Sequence, residues 1–242
     1  MILAGVDLAW QSEKNPSAIS YGFLTEGTLT VNTIEPAVYG IDKVFNMLNG
    51  VNGLRGISVD APLIINNADG QRSCENGVGK TYGSRCASCH TSNTKLYPDA
   101  KSVYLSDRLQ ESGFGHLKGE RWQIECYPHP AIIEIFGLSE RLKYKKGTVA
   151  EKRMGQKVLA ALLSELNESR VLRLEILDQN QQVFDESHID ALRGRALKSN
   201  EDALDSVLCL YIAGLYAINF DGRIFGDIDS GYIWIPRGVC CD

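Results

Sequence analysis

Ile2-Leu3-Ala4-Gly5-Val6-Asp7-Leu8-Ala9-Trp10 is the stretch from which the fold is read. An unbroken run of apolar or small residues up to Val6 leaves no polar face, which describes a strand covered on both sides at the centre of a sheet. Asp7 closes that run. An ionised carboxylate is almost never buried without a partner, so Asp7 bonds nearby backbone or a cation, or it faces an open cleft. The plainer alternative is a turn former at the strand's end.

Working outward, Gln11 to Pro16 is polar and reads as a loop. Ala18–Leu24 and Leu29–Ile34 flank Thr25-Glu26-Gly27-Thr28, whose glycine suits a turn joining two strands into a hairpin. Val38, Ile41, Val44, Phe45 and Leu48 recur at helical spacing before Asn49-Gly50. Leu54–Val59 is a further strand, ended by Asp60-Ala61-Pro62 because proline cannot continue the ladder. Residues from about 63 to 118 are rich in Gly, Ser, Asn and Cys with weak periodicity, and read as an irregular insertion with a helix near Ala100–Glu111. Arg121–Glu125 resumes strand character, and Pro130 starts a helix running through Phe136. Val149–Asn167 is an amphipathic helix, and Leu172–Leu177 is a strand or connector. A last long helix is expected over about Glu201–Ile218, with a late strand at Tyr232–Ile235. Residues 1–242 read as a single α/β domain with the insertion after its fourth strand.

Composition narrows the function classes. At 242 residues and 44% hydrophobic, one full core can be buried. The N-terminus lacks a basic flank and apolar core, and no apolar run reaches about 18 residues, so a soluble cytoplasmic protein with no membrane partner is expected. Seven cysteines are expected to be reduced thiols, with Cys240 and Cys241 in a mobile tail. A formal net charge of −5 argues against nucleic-acid binding by bulk positive charge. Any polyanion site must be local, and homo-oligomer formation stays open.

Asp7, Asp60 and Glu125 each end a strand, and in α/β sheets reactive groups gather beyond the carboxyl ends of strands. Asp202 and Asp205, three apart, share one face of the last helix, although Ser199 and Asp202 also fit an N-terminal capping box. Carboxylates converging on one pocket repel one another unless a cation neutralises them, and an all-oxygen donor set favours Mg²⁺ or Mn²⁺. Asp7 is then the shared ligand, with Asp60, Asp205 and either Asp202 or Glu125 completing the sites. Arg141, Lys143, Lys145, Lys146, Lys152, Arg153 and Lys157, opposed only by Glu151, form a local basic stretch suited to phosphates or, equally, a solvated helix face and loop. Arg72 and Arg85 are weaker phosphate candidates.

Gly5-Val6-Asp7, Ser58-Val59-Asp60-Ala61-Pro62-Leu63, Glu125-Cys126-Tyr127-Pro128, Tyr144-Lys145, Asp202-Ala203-Leu204-Asp205 and Gly231-Tyr232-Ile233 together resemble an uncharacterised family of predicted RNase H-like nucleases. The acid pattern is similar to that of Holliday-junction resolvases, with an acid on the first strand, one ending the fourth, and two three apart on the last helix. The resemblance implies an RNase H-like mixed five-stranded sheet flanked by helices. It further implies a metal-dependent nuclease cleaving DNA or RNA, with Asp7, Asp60, Glu125, Asp202 and Asp205 as its acids. The same core underlies actin-like and sugar-kinase phosphotransferases, and a non-catalytic nucleic-acid or protein binding module is the third alternative.

Other signals are weaker. Gly79-Lys80-Thr81 lacks the earlier glycine of a phosphate-binding loop, since position 74 is Cys74. Cys86-Ala87-Ser88-Cys89-His90 matches a haem-attachment spacing without an export signal. A structural zinc on Cys74, Cys86, Cys89 and His90 lacks a second close pair. His129, after Tyr127-Pro128, could orient a phosphate or act in proton transfer, but reads first as a histidine at a helix start without a catalytic role, and no G-x-S-x-G elbow marks a serine hydrolase.

Overall fold

β1 (Ile2–Asp7) is the centre of the sheet, hydrogen-bonded on one side to β2 (Ser17–Thr25) and on the other to β4 (Leu54–Asp60). The structure is a computed structural model describing residues 1–11 and 14–239; Cys240 and Cys241 lie outside the described residues. β2 is antiparallel to β1 and turns through Glu26 and Gly27 into antiparallel β3 (Thr28–Val38). Both turn residues have positive φ, 46° and 78°, which fits a two-residue hairpin turn matching the strand twist. α1 (Ile41–Asn49) returns the chain to β4, which runs parallel to β1. β4 is followed in space by parallel β6 (Trp122–Glu125) and then β5 (Gly115–His116).

The sheet has seven strands, ordered β5-β6-β4-β1-β2-β3-β7, rather than the five expected. The extra two are edge strands with weak sequence signals. β5 is two residues long, too short for any alternation to register. β7 (Arg173–Ile176) is the segment left open between strand and connector, and it pairs parallel with β3. β8 (Gly222–Asp227) and β9 (Gly231–Pro236) form a separate antiparallel pair. The insertion is more regular than its composition suggests, holding α2 (Ser73–Tyr82) and α3 (Lys101–Glu111) as well as β5. Gly79-Lys80-Thr81 lies within α2 and is helical, not a loop around phosphate.

α4 (Pro128–Phe136), α5 (Val149–Glu165), the short α6 (Glu186–Ala191) and α7 (Gly194–Ala217) complete the chain. α7 begins seven residues before the expected Glu201. Ser199 and Asn200 are ordinary cap residues, but here they are tied from within the helix. Ser199 Oγ donates to Pro36 O at 2.9 Å, and Asn200 Nδ2 to Gln156 Oε1 at 3.2 Å. Asp202 therefore sits mid-helix, and the capping reading of Ser199 and Asp202 does not hold.

Leu3, with Leu204, Val207 and Leu208 of α7, belongs to the apolar core on one side of the sheet, while Ala4 and Val6 belong with α1 and α3 to the other. β1 is thus covered on both faces, as its composition requires. The tightest approach is at Gly5. A Cβ there would lie 2.0 Å from Leu210 N and 2.3 Å from Ser206 O, so only glycine lets α7 press backbone to backbone on β1. Among the described residues no helix is long and apolar enough to cross a membrane. Gly5→Ala is expected to destabilise the fold by about 3 kcal/mol, measured as a lowered urea midpoint with an unchanged m-value.

Candidate active site

Parallel pairing of β1 with β4 places Asp7 directly beside Asp60. α7, seated over the same strands, brings Asp205 beneath them with its side chain 0% exposed. A cleft of about 550 Å³ opens over these strand ends and is lined by Asp7 and Asp60. The cation facing the acids comes from elsewhere in the chain. Lys145, on the stretch before α5, puts Nζ 2.8 Å from Asp205 Oδ2 and 3.9 Å from Asp60 Oδ2. Its neighbour Tyr144, fully buried, donates its hydroxyl to Asp205 Oδ1 at 2.7 Å. Asp205 Oδ2 has no correctly aimed hydrogen-bond donor, so the short contact to Lys145 is ionic rather than directional.

Burial sets the electrostatics of this group. It pushes Asp60 from the usual carboxylate range up to about 8, with Lys145 opposing and Asp7, Asp205 and Glu125 adding repulsion. Asp7 is raised well above its ordinary value, first by burial and then by the charges of Asp205 and Asp202, against the pull of Lys145. Lys145 is itself held well above its ordinary value by Asp205, Tyr144, Asp60 and Asp7, which outweigh its desolvation. Asp202 shares a hydrogen bond with Asp7 and accepts from Lys198 at 2.6 Å; Lys198 also bridges Glu201 at 2.7 Å. Among the described residues no group of three or more His, Cys, Asp or Glu side chains is disposed to hold a metal ion. That holds for the acids, which face Lys145, and for Cys74, Cys86, Cys89 and His90, of which Cys74 is buried and Cys86 exposed.

Glu125 also reaches the cleft wall but is bound differently. Arg72 grips it with two parallel bonds, Nη1 to Oε2 at 2.9 Å and Nη2 to Oε1 at 2.6 Å, while Leu63 N donates to Oε2 at 2.9 Å. Arg72 Nε meanwhile donates to Glu75 Oε1, whose other oxygen accepts from the backbone of Arg72 and Ser92. Arg72 is 3% exposed, and all three of its guanidinium nitrogens have partners. It fastens the insertion to the end of β6. Glu125 spends three of its about four acceptor sites and Arg72 four of its five N–H donors on this network.

The basic candidates separate in the same way. Arg141, Lys143 and Lys146 line the cleft beside Lys145. Arg153 instead donates to Leu192 O at the end of α6, and Arg85 donates to the carbonyls of Leu138 and Ser139. These two are structural clamps. Sequence reasoning missed most of the cleft's aromatic wall. Trp10, Tyr127 and Tyr144 all line it. His129 stands edge-on between the rings of Tyr127 and Tyr144, with centroids 5.7 Å from each. Burial, aided by Lys145 and Arg141, holds the His129 imidazole well below its usual value and hence neutral, and its buried Nδ1 has no partner.

The family model described as "Protein of unknown function (DUF429)" matches residues 5–219. The chain belongs to the DUF429 family. No curated protein and no solved structure matches it. The span matched as DUF429 contains every acid and cation lining the cleft and stops before β8.

Two outcomes follow from this DUF429 site. Arg72→Met leaves Glu125 and Glu75 buried without their cation, so it is expected to cost about 4 kcal/mol, measured by urea unfolding. Asp60 gives a pH signature. Unfolded, it releases its proton near the ordinary carboxylate value of 3.8, whereas folded it holds on to about 8. Between those limits the native state binds the extra proton, so the contribution of Asp60 to stability is lost as pH rises through the window and is flat outside it. Three pH units of full linkage correspond to about 4 kcal/mol, and solvent reaching this partly exposed carboxyl leaves about 2 kcal/mol. In metal-free buffer the stability difference between pH 5 and pH 8 should therefore be smaller in Asp60→Asn than in wild type by that amount.

Proposed function

We propose that this protein is a divalent-metal-dependent phosphodiesterase acting on nucleic acid, built on an RNase H-like core. The observation carrying the reading is the meeting of Asp60 and Asp205 on a single ammonium group, with Asp7 beside Asp60, at the floor of a cleft lined by Arg141, Lys143 and Lys146. An antiparallel three-strand meander followed by parallel strands, with acids ending β1 and β4 and two more on the last long helix, supports the RNase H-like relationship.

The donor type suits Mg²⁺ or Mn²⁺, while the acids as they stand around Lys145 are, among the described residues, not disposed as a metal-holding group. Asp7, Asp60 and Asp205 offer only carboxylate oxygens, one of them the undirected and buried Asp205 Oδ2, and hard divalent ions prefer oxygen. Such an ion, when bound, supplies a lowered pKa for water and charge stabilisation at phosphorus. The chain's own residues do the rest. Asp7, Asp60 and Asp205 hold the ion. Tyr144 fixes the rotamer of Asp205 through its hydroxyl bond. Asp202, bonded to Asp7 and to Lys198, orients Asp7 from behind. Arg141, Lys143 and Lys146 attract the phosphate backbone, and because that positive charge is confined to one rim, binding weakens with salt. Neutral His129 can carry a proton at a ring nitrogen beside the phosphate.

Single-stranded, duplex, hybrid and branched DNA and RNA, each with Mg²⁺ or Mn²⁺, form the test. Asp7→Asn or Asp205→Asn is expected to lower cleavage by at least about 10³-fold while the protein stays folded. Metal at about 100 times its Kd should stabilise the wild type by about 2.7 kcal/mol. Nucleotide binding with every nucleic acid left intact would replace this reading with the phosphotransferase, and nucleic-acid binding indifferent to metal would replace it with a binding module.

A further inference from the structure

Two aromatic residues leave the sheet on either side of β4. Trp10 follows β1 and Tyr127 follows β6, the two neighbours of β4, and both line the cleft together with Asp60. The insertion braces each of them. Trp10 packs against Tyr97 with ring centroids 4.5 Å apart at an interplanar angle of 64°, and its carbonyl accepts from Lys101 N at 3.3 Å. The Tyr127 hydroxyl donates to Ser88 O at 2.9 Å. Rings held in place before a ligand arrives lose little freedom on binding it, and every nucleobase has a π-face that such a ring can take. The cations of the rim, Arg141, Lys143 and Lys146, come from one short segment. Lys143 is paired with Glu140 at 3.7 Å, but both side chains are exposed, so that pair opens at little cost.

We propose that the cleft receives an unpaired nucleotide of a single strand, with its base on the wall formed by Trp10 and Tyr127 and its phosphates on Arg141, Lys143 and Lys146. The inference rests on the nucleic-acid reading, narrows it to strands with unpaired bases, and requires no bound metal. A duplex keeps its base faces in its own stack, so it would leave the aromatic wall unfilled. Size agrees with a single unit, since about 550 Å³ falls among sites for one small ligand, about 300–1,000 Å³. Charge agrees as well. Three rim cations meet few phosphates, and the chain around them carries a net charge of −5, which opposes the long positive track a duplex backbone follows. Trp10 is therefore the residue that selects unpaired over paired bases.

Intrinsic fluorescence reads this contact directly. Of the three tryptophans, Trp122 and Trp234 are buried in the core, whereas Trp10 is half-buried at the cleft, so a stacked base quenches Trp10 alone. The full chain is titrated in EDTA, which keeps metal out of the result, with short single-stranded DNA, single-stranded RNA and a duplex of the same sequence. One or both single strands are expected to quench the emission and to bind at least about tenfold more tightly than the duplex, with a salt slope of about −2 for three phosphate contacts. By fluorescence anisotropy, Trp10→Ala should weaken single-strand binding about tenfold, and Trp10→Phe, which keeps an aromatic face, should restore most of it. Equal affinity for strand and duplex, or a strand that binds without quenching, overturns the inference and leaves the nucleic-acid reading standing. Binding of none of the three overturns both. If Trp10→Ala does not fold, the wild-type quenching and the strand-to-duplex ratio decide.

Discussion

Burying several carboxylates in one place is the constraint on which this structure turns. Asp205 is fully buried, and Asp7, Asp60 and Asp202 are largely withdrawn from water. Desolvation and mutual repulsion raise Asp7 and Asp60 above the usual carboxylate range even so, and without the opposing charge of Lys145 they would hold their protons more strongly still. Cations imported from outside the sheet offset part of the burial cost. Lys145 arrives from the stretch before α5 and Lys198 from the first turns of α7, and the segments carrying them are fixed in place by the charges they serve.

The second constraint is distance. The carboxylates of α7 reach the strand ends because α7 lies against β1 more closely than side chains normally allow. Gly5 removes the Cβ that would strike Leu210 and Ser206, and Ser20 and Ser206 replace an apolar contact with a 2.6 Å hydrogen bond at the same crossing. Small residues in β1 are therefore part of the site's construction. Their effect is to place Asp205 under Asp7 and Asp60, so packing of the core and geometry of the cleft are set by the same backbone approach.

What could be read from the sequence was local. Asp7 and Asp60 end apolar runs, and a strand's end is visible in the residues around it. The register that sets them side by side follows from two strands of similar length lying parallel. The grip of Arg72 on Glu125, separated by 53 positions, left no trace, because Arg72 sits in a stretch whose composition suggests an exposed loop. Glu125 consequently looked like the other strand-end acids. Tyr144 stood out only through family resemblance, and Lys145 was otherwise visible only as one of a basic stretch suited to phosphates, since a lysine before a helix ordinarily faces solvent. The early start of α7 was hidden for a related reason. Ser199 and Asn200 favour caps in isolation, and only their tertiary partners on Pro36 and Gln156 keep them helical.

Two carboxylate–cation pairs now share one cleft and differ in the property that separates scaffold from function. Glu125 faces a guanidinium whose planar fork matches it bond for bond, with Leu63 N also donating to Glu125 and with Glu75 and Ile64 O accepting from Arg72; such a pair, once buried, is expensive to open. Asp205 and Asp60 face an ammonium on a flexible stem, at unequal distances, with one carboxylate oxygen undirected. Arginine in the first position makes a planar, many-bonded joint, whereas lysine in the second makes a single short contact on a flexible stem. Arg72 and Lys145 thus set the two kinds of acid in the cleft apart: Glu125 ties the insertion to the sheet, and Asp60 and Asp205 face one ammonium at the open strand ends.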